Sequence, residues 1–276
     1  MIAFKTTLKT LAAGAALALS LIASPSLAAS CGNGPGGFDQ WKAEFAQTAQ
    51  ANGVGSRGLQ ALANARYNNK TISIDRAAQK GGSAFTMSLD TFLKKRGGNA
   101  IVSGGKQRLR QNQGMFNDIQ RRYGITPGPL LAIWGMETGF GRFMGSENVV
   151  SSAATIAYDC RRTDFFKPHL IAALQLVDRG GLSANSKGAG HGEYGHTQFL
   201  AGNIMRYGVD ADGNGRVDLS SLPDAMYSTA NFLRSHGMTP NYQPGQAGFR
   251  GIQGWNAAPV YQQAIAKLGA EIDASR

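Results

Sequence analysis

The chain of 276 residues carries 28 lysines and arginines against 17 aspartates and glutamates, a formal charge of +11. The basic residues are scattered, with no long block of lysine or arginine and no clustered basic and aromatic patch, which argues against nucleic-acid binding. Beyond the N-terminal region no segment approaches the roughly 20 apolar residues that a membrane helix needs.

Lys5 and Lys9 precede an apolar run from Leu11 to Leu19, and Ser26-Leu27-Ala28 follows, the pattern of a secretory signal peptide. Residues 1–28 are therefore read as a signal cleaved after Ala28, with export to the periplasm, and residues 29–276 as one domain. Loss of Lys5 and Lys9 takes the formal charge from +11 to +9 and leaves about 248 residues, enough for a sizeable core. A basic exported protein is drawn to polyanions, here cell-wall polymers or the anionic cell envelope, where it could associate peripherally. Two readings stand for Cys31. Ala28-Ala29-Ser30-Cys31 partly matches a lipid-anchor signal, with Ala28 where leucine is usual. The preferred reading pairs Cys31 with Cys160 in one disulfide in an oxidising compartment.

Phe38, Trp41 and Phe45 recur at helical spacing, and Gly53-Val54-Gly55-Ser56 marks a break before a second helix. Residues 104–123 read as one longer polar helix ending at Tyr123-Gly124. Thr126 stands as an N-cap with Pro127 in the first turn, opening a short apolar helix that closes at Glu137. Residues 165–179 and 222–237 are further helices, the second opening on Pro223 with Asp224. Lys187 to Thr197 holds four glycines and reads as a loop or short irregular ribbon. The Pro- and Gly-rich stretch 239–254 precedes a final docked helix. Alternating strand patterns are scarce, so the fold class is mainly α with a small irregular or β-ribbon segment.

Asp210, Asp212, Asn214 and Asp218 occupy positions 1, 3, 5 and 9 of an EF-hand-like loop, with Gly215 at the sharp turn and the Arg216 carbonyl at position 7. Position 12, normally a bidentate acid, is Ser221, and Asp224 is the nearest later carboxylate. The loop is read either as a weak structural Ca2+ site or as a metal-free Asx-rich turn. His169, His191, His196 and His236 are dispersed and suggest no zinc set.

Five glutamates occur in the chain, and only Glu137 and Glu193 stand in glycine-rich surroundings beside aromatic residues. Leu130, Ile133 and Trp134 lie seven, four and three residues before Glu137, so its carboxyl shares their helical face. Apolar surroundings and the negative end of the helix dipole both raise a carboxyl's pKa, which suits a general acid, although a glutamate merely ending a helix is the alternative. A carbohydrate cleft also needs aromatic walls and amide or hydroxyl groups, types that Tyr194, Gln198 and Asn256 supply.

The motifs Trp134-Gly135-Met136-Glu137-Thr138-Gly139-Phe140-Gly141, Tyr158-Asp159-Cys160-Arg161-Arg162, Gly192-Glu193-Tyr194-Gly195-His196-Thr197-Gln198-Phe199 and Trp255-Asn256 come in an ordered series. Together, from about Phe38 to Ile272, they resemble the catalytic domain of lytic murein transglycosylases of the membrane-bound type B family, within the lysozyme-like superfamily. The resemblance implies an enzyme acting on peptidoglycan glycan strands as a monomer, with Glu137 as single acid/base and no cofactor needed for the chemistry. It places Gln198, Asn256 and Tyr261 in the cleft and Arg161 and Arg162 near the peptide stem. Read without it, the arginines are a surface pair and Tyr261 a packed aromatic. The chain departs from the family at Gly190, His196 and Phe232, where the family often has an aromatic, glutamine and tyrosine, while Ala189 stands where the family has serine or alanine. His196 is either a substitute amide-like donor or a neutral structural histidine. The implied reaction cleaves the MurNAc-β-1,4-GlcNAc bond and leaves 1,6-anhydromuramyl ends. Two other readings stay open: a hydrolytic muramidase using Glu137 and Glu193, and a non-catalytic peptidoglycan-binding protein.

Overall fold

Pro127 to Met136 carries no charged side chain, and a helix apolar on every side belongs inside a core. The computed structural model, which describes residues 30–79 and 86–275, puts it there. The expected signal peptide lies outside the described residues. In chain order the elements are α1 (Phe38–Ala51), α2 (Ser56–Asn64), α3 (Asn69–Gln79), α4 (Leu89–Arg96), α5 (Gly98–Gln111), α6 (Gln113–Tyr123), α7 (Pro127–Thr138), β1 (Glu147–Asn148), α8 (Val149–Tyr158), α9 (Thr163–Arg179), β2 (Lys187–Gly188), α10 (Ala201–Tyr207), α11 (Leu222–Ser235), α12 (Phe249–Trp255) and α13 (Pro259–Asp273). The fold is mainly α, and its one small sheet pairs β1 with β2 antiparallel, Glu147 opposite Gly188 and Asn148 opposite Lys187.

Helix α7 is the hub, packed against α13 and α5 and touched by α6 and α11, while α8, α9, α2 and α10 form a second packed group. Where α7 crosses α13, a Cβ on Gly128 would stand 2.1 Å from the Gly269 carbonyl oxygen, so the crossing needs a glycine. Thr126 occupies the N-cap position of α7, but its hydroxyl donates to Asp273 Oδ2 at 2.6 Å, while Asp273 Oδ1 accepts the Gly128 N–H at 2.8 Å. A carboxylate from α13 thus supplies the cap and sits at the favourable, positive end of the helix dipole.

The structure departs from the single helix expected over 104–123. The helical run begins earlier, at Gly98, and breaks at Asn112, whose φ of −126° leaves the helical range. The Asn112 side-chain amide donates to the Arg108 carbonyl at 3.0 Å, a local bond of the kind that lets asparagine interrupt a helix. The Pro- and Gly-rich stretch also differs from expectation, since its end and the residue beyond it form α12.

Candidate active site

Helix α7 ends where Gly139 turns left-handed at φ 56°, a conformation that glycine adopts without steric penalty. Glu137 is therefore held on the last turn, half-buried, at the wall of a cavity of about 370 Å³. Tyr261 on α13 donates its hydroxyl to Glu137 Oε1 at 2.8 Å, and Trp255 at the end of α12 donates its indole N–H to the same oxygen at 3.1 Å. Both donors meet on Oε1, which marks it as the carbonyl-like oxygen of a neutral carboxyl. Oε2 takes no hydrogen bond among the described residues. Burial, the largest influence, raises the carboxyl's pKa. The bonds from Tyr261 and Trp255 and the charge of Arg96 oppose it, the charge of Glu193 adds to it, and the net shift is upward.

Glu193, Gln198, Phe199, Phe232, Trp255 and Asn256 share the cavity wall with Glu137. Trp255 packs edge-on to both Phe199 and Phe232, with ring centroids 5.2 Å away in each case. Gln198 adopts φ 55°, uncommon outside glycine, and its amide donates to the Gly195 carbonyl at 2.7 Å and the Met144 carbonyl at 3.3 Å. Asn256 Oδ1 accepts the Ala258 N–H at 2.9 Å, which starts α13.

Tyr194, His196, Arg161 and Arg162 do not line this cavity. Tyr194 donates its hydroxyl to Asp218 Oδ1 at 2.9 Å. The His196 ring accepts the Trp134 indole N–H on Nδ1 at 3.0 Å and bonds the Ser220 backbone, and its pKa is lowered by burial, so it is a neutral tie between α7 and the loop. Thr138 reinforces that tie by donating to the His196 carbonyl at 2.7 Å. Arg161 and Arg162, each about one-third exposed, converge on buried Asp75 at 2.6 Å and 2.8 Å, and Arg161 also binds Asp159 at 3.1 Å. They are therefore anchored cations and not free surface charges. Cys31 and Cys160 are joined in a disulfide, beside the bridge between Gly32 and Asp159.

In the Asp-rich loop, Asp210 accepts the N–H groups of Gly213, Asn214 and Gly215, and Asn214 Oδ1 accepts that of Arg216 at 3.0 Å. One carboxylate oxygen each from Asp210, Asp212 and Asp224 lie within 4.8 Å of one another. Asp224, the later carboxylate that the sequence offers in place of position 12, thus stands in the cluster, and Asp218 lies outside it. Asp218 Oδ1 is taken by Tyr194 and by the Ser220 N–H and hydroxyl, whereas Asp224, in the first turn of α11, accepts the Ala211 and Asp218 N–H groups at 2.8 Å and 2.9 Å.

Three residues near these sites were given no role by sequence reasoning, and a fourth was named without one. Trp255 was legible only as part of the motif Trp255-Asn256. Arg96 on α4 donates to the Met136 carbonyl at 3.3 Å and lies 5.6 Å from the Tyr261 ring centroid. Asp75 and His191 join the arginine pair to Glu193, through contacts across three chain segments that no local motif announces.

A family model described as "Transglycosylase SLT domain" matches residues 37–247. The chain is 31% identical over 138 residues to membrane-bound lytic murein transglycosylase B of Escherichia coli (strain K12), covering 49% of this chain and 38% of that protein. It therefore spans about two fifths of that relative. SltB3 from Pseudomonas aeruginosa, solved with NAG-anhNAM-pentapeptide, superposes with a TM-score of 0.76 at 26% identity, over 85% of this chain and 79% of that one. The Escherichia coli lytic transglycosylase Slt35 shares the fold, with a TM-score of 0.73 at 22% identity over 85% of this chain and 93% of its own in its bulgecin A complex.

Proposed function

The chain belongs to the transglycosylase SLT domain family, and from that premise we propose that residues 29–276 form a lytic transglycosylase that cleaves the MurNAc-β-1,4-GlcNAc bond of peptidoglycan. Glu137, protonated on Oε2, donates to the glycosidic oxygen as its bond to C1 breaks. The resulting carboxylate takes the proton of the C6 hydroxyl on the same muramyl residue, and O6 closes on C1. Glu137 is restored, no water is consumed, and the product carries a 1,6-anhydromuramyl end. The nucleophile is part of the substrate and so already at high effective concentration.

The observation that carries this reading is Glu137 itself: one acid with a raised pKa, both donors on Oε1, at the wall of a cavity with aromatic and amide groups. The SltB3 complexes with NAG-anhNAM-pentapeptide and NAG-NAM-pentapeptide support it. In this reading Gln198, Asn256 and Glu193 face the sugars, Trp255 and Phe232 form an apolar wall, and Arg161 and Arg162 lie toward the peptide stem. Tyr194 and His196 serve by holding the loop.

The oxygen-only set of Asp210, Asp212 and Asp224 with the Asn214 side chain fits a hard cation such as Ca2+, which would brace the loop and take no part in the chemistry. Export to the periplasm follows from the N-terminal pattern. No helix among the described residues is long and apolar enough to cross a membrane, and a disulfide at Cys31 leaves its sulfur unavailable for a lipid thioether. Action as a monomer is part of the same proposal. The test is release of soluble fragments from purified sacculi by the mature chain and by Glu137→Gln. Release by the first, with none by the second despite retained binding, supports the reading; binding without release by either makes the chain a non-catalytic wall protein.

A further inference from the structure

The transglycosylase reading needs one carboxyl, yet the cavity has two. Glu193 shares its wall with Glu137, and its charge is felt there. It is not a solvated surface acid. Its Oε2 accepts the His191 backbone N–H at 3.0 Å, and its Oε1 faces His191 Nδ1 at 3.2 Å. The other imidazole nitrogen, Nε2, is buried without a hydrogen-bond partner among the described residues and lies 3.4 Å from Asp75 Oδ1. Asp75 is in turn bound by Arg161 and Arg162, and the Phe166 ring stacks on the imidazole with centroids 6.3 Å apart.

The charged groups facing His191 are therefore Glu193 and Asp75, with the Arg162 guanidinium beyond. Burial is the largest influence on the ring and lowers its pKa, but the bond and charge from Glu193 and the charge of Asp75 outweigh it, and the net shift is upward. Glu193 responds in the opposite sense. Burial would raise its pKa, but the His191 bond and charge and the loop amides hold it below the ordinary carboxylate value. Two carboxyls in one cavity with pKa values displaced in opposite directions match a division into proton donor and permanent anion. A loop that only had to turn would not need an ion chain running back to α3 and to the segment between α8 and α9.

We propose that Glu193 is a second catalytic residue of this site, acting by its fixed negative charge, and that His191 is its positioning residue. The ionised Glu193 stabilises the positive charge that develops at C1 of the muramyl ring as the glycosidic bond breaks, and it keeps the proton on Glu137 until the leaving oxygen takes it. Glu193 itself neither gains nor loses a proton. The proton moves from Glu137 to the glycosidic oxygen, and the C6 hydroxyl returns one to Glu137. This inference rests on the transglycosylase reading.

The test measures kcat and KM on purified soluble glycan strands for the wild type, Glu193→Gln, Glu193→Asp and His191→Gln, with thermal unfolding of each as a check on folding. For Glu193→Gln, kcat falls by about 10- to 100-fold, the scale of one lost electrostatic contact to the transition state, while KM stays within about 3-fold. Glu193→Asp keeps more activity than Glu193→Gln. His191→Gln lies between wild type and Glu193→Gln, and its kcat gains an additional fall on the acid side, because Glu193 has lost the partner that keeps it ionised. A folded Glu193→Gln with kcat within about 3-fold of wild type, or with its loss confined to KM, overturns the proposal. Reducing ends from the wild type overturn the transglycosylase reading, and the proposal with it, whatever the variants do.

Discussion

Replacing Glu137 with glutamine should abolish activity and stabilise the protein. The structure buries the carboxyl in a cavity wall, and desolvation outweighs the two donors on Oε1, so the folded chain holds the Glu137 proton more tightly than the unfolded chain does. The folded state then binds more protons than the unfolded state between the two pKa values, and stability falls as pH rises through that window. Stability is fully present below about pH 4, the ordinary glutamate range, and is lost as pH rises through the raised folded value. Glutamine is isosteric, accepts both donors on its own Oε1, and does not titrate. At pH 7 Glu137→Gln should therefore be the more stable protein, by about 1.4 kcal/mol for each pH unit of that window lying below pH 7. For a domain of this size each kcal/mol is worth roughly 2–4 °C in Tm. The assay is thermal unfolding of both proteins from pH 4 to pH 8. The difference should be near zero at pH 4 and grow toward pH 8. A constant difference, or a wild type more stable than the variant at pH 7, would refute the reasoning.

Tyr261→Phe removes one of the donors that favours ionised Glu137, so the alkaline limb of the kcat profile should move to higher pH, with a stability loss of about 1 kcal/mol at neutral pH; an unmoved limb would disconnect Tyr261 from the acid. Added Ca2+ should raise Tm, by an amount equal to about 2.7 kcal/mol when its concentration is a hundred times Kd, and Asp210→Asn should abolish the response without changing kcat. A calcium-independent Tm in the wild type would leave the loop as an Asx turn. Cys31→Ser opens a link between residues 129 apart and should cost about 2–5 kcal/mol, read from denaturant unfolding; an unchanged midpoint would place the stabilising tie elsewhere.

Glu137 was legible in the sequence because local signals frame it: Pro127 in the first helical turn, an uninterrupted apolar run, and Gly139 at the end. The cleft residues of the ordered motifs were legible through family resemblance. Tyr261 and Trp255 were named through the same resemblance, but their bonds to the acid were not legible, because they lie 124 and 118 residues away and meet on one oxygen only after α12 and α13 fold back over α7. The same limit hid the chain from Glu193 through His191 and Asp75 to the arginines, which joins segments far apart in sequence. Asn112 illustrates a local failure: the helical periodicity on both sides is genuine, and one side-chain bond to a backbone carbonyl divides it. In the Asp-rich loop, ligand spacing pointed to Asp210, Asp212 and Asp218, with Asp224 as the nearest later acid; Asp224 stands in the cluster with Asp210 and Asp212, while Oδ1 of Asp218 is bound by a tyrosine and a serine.

The central claim is that the C6 hydroxyl, and not water, closes on C1 after Glu137 has protonated the leaving oxygen. It is tested most directly by mass spectrometry of the fragments released from purified sacculi by the mature protein in water enriched in heavy oxygen. The account predicts unlabelled ends one water lighter than reducing ends, absent when Glu137→Gln replaces the wild type. Labelled reducing ends would contradict it and identify a hydrolase.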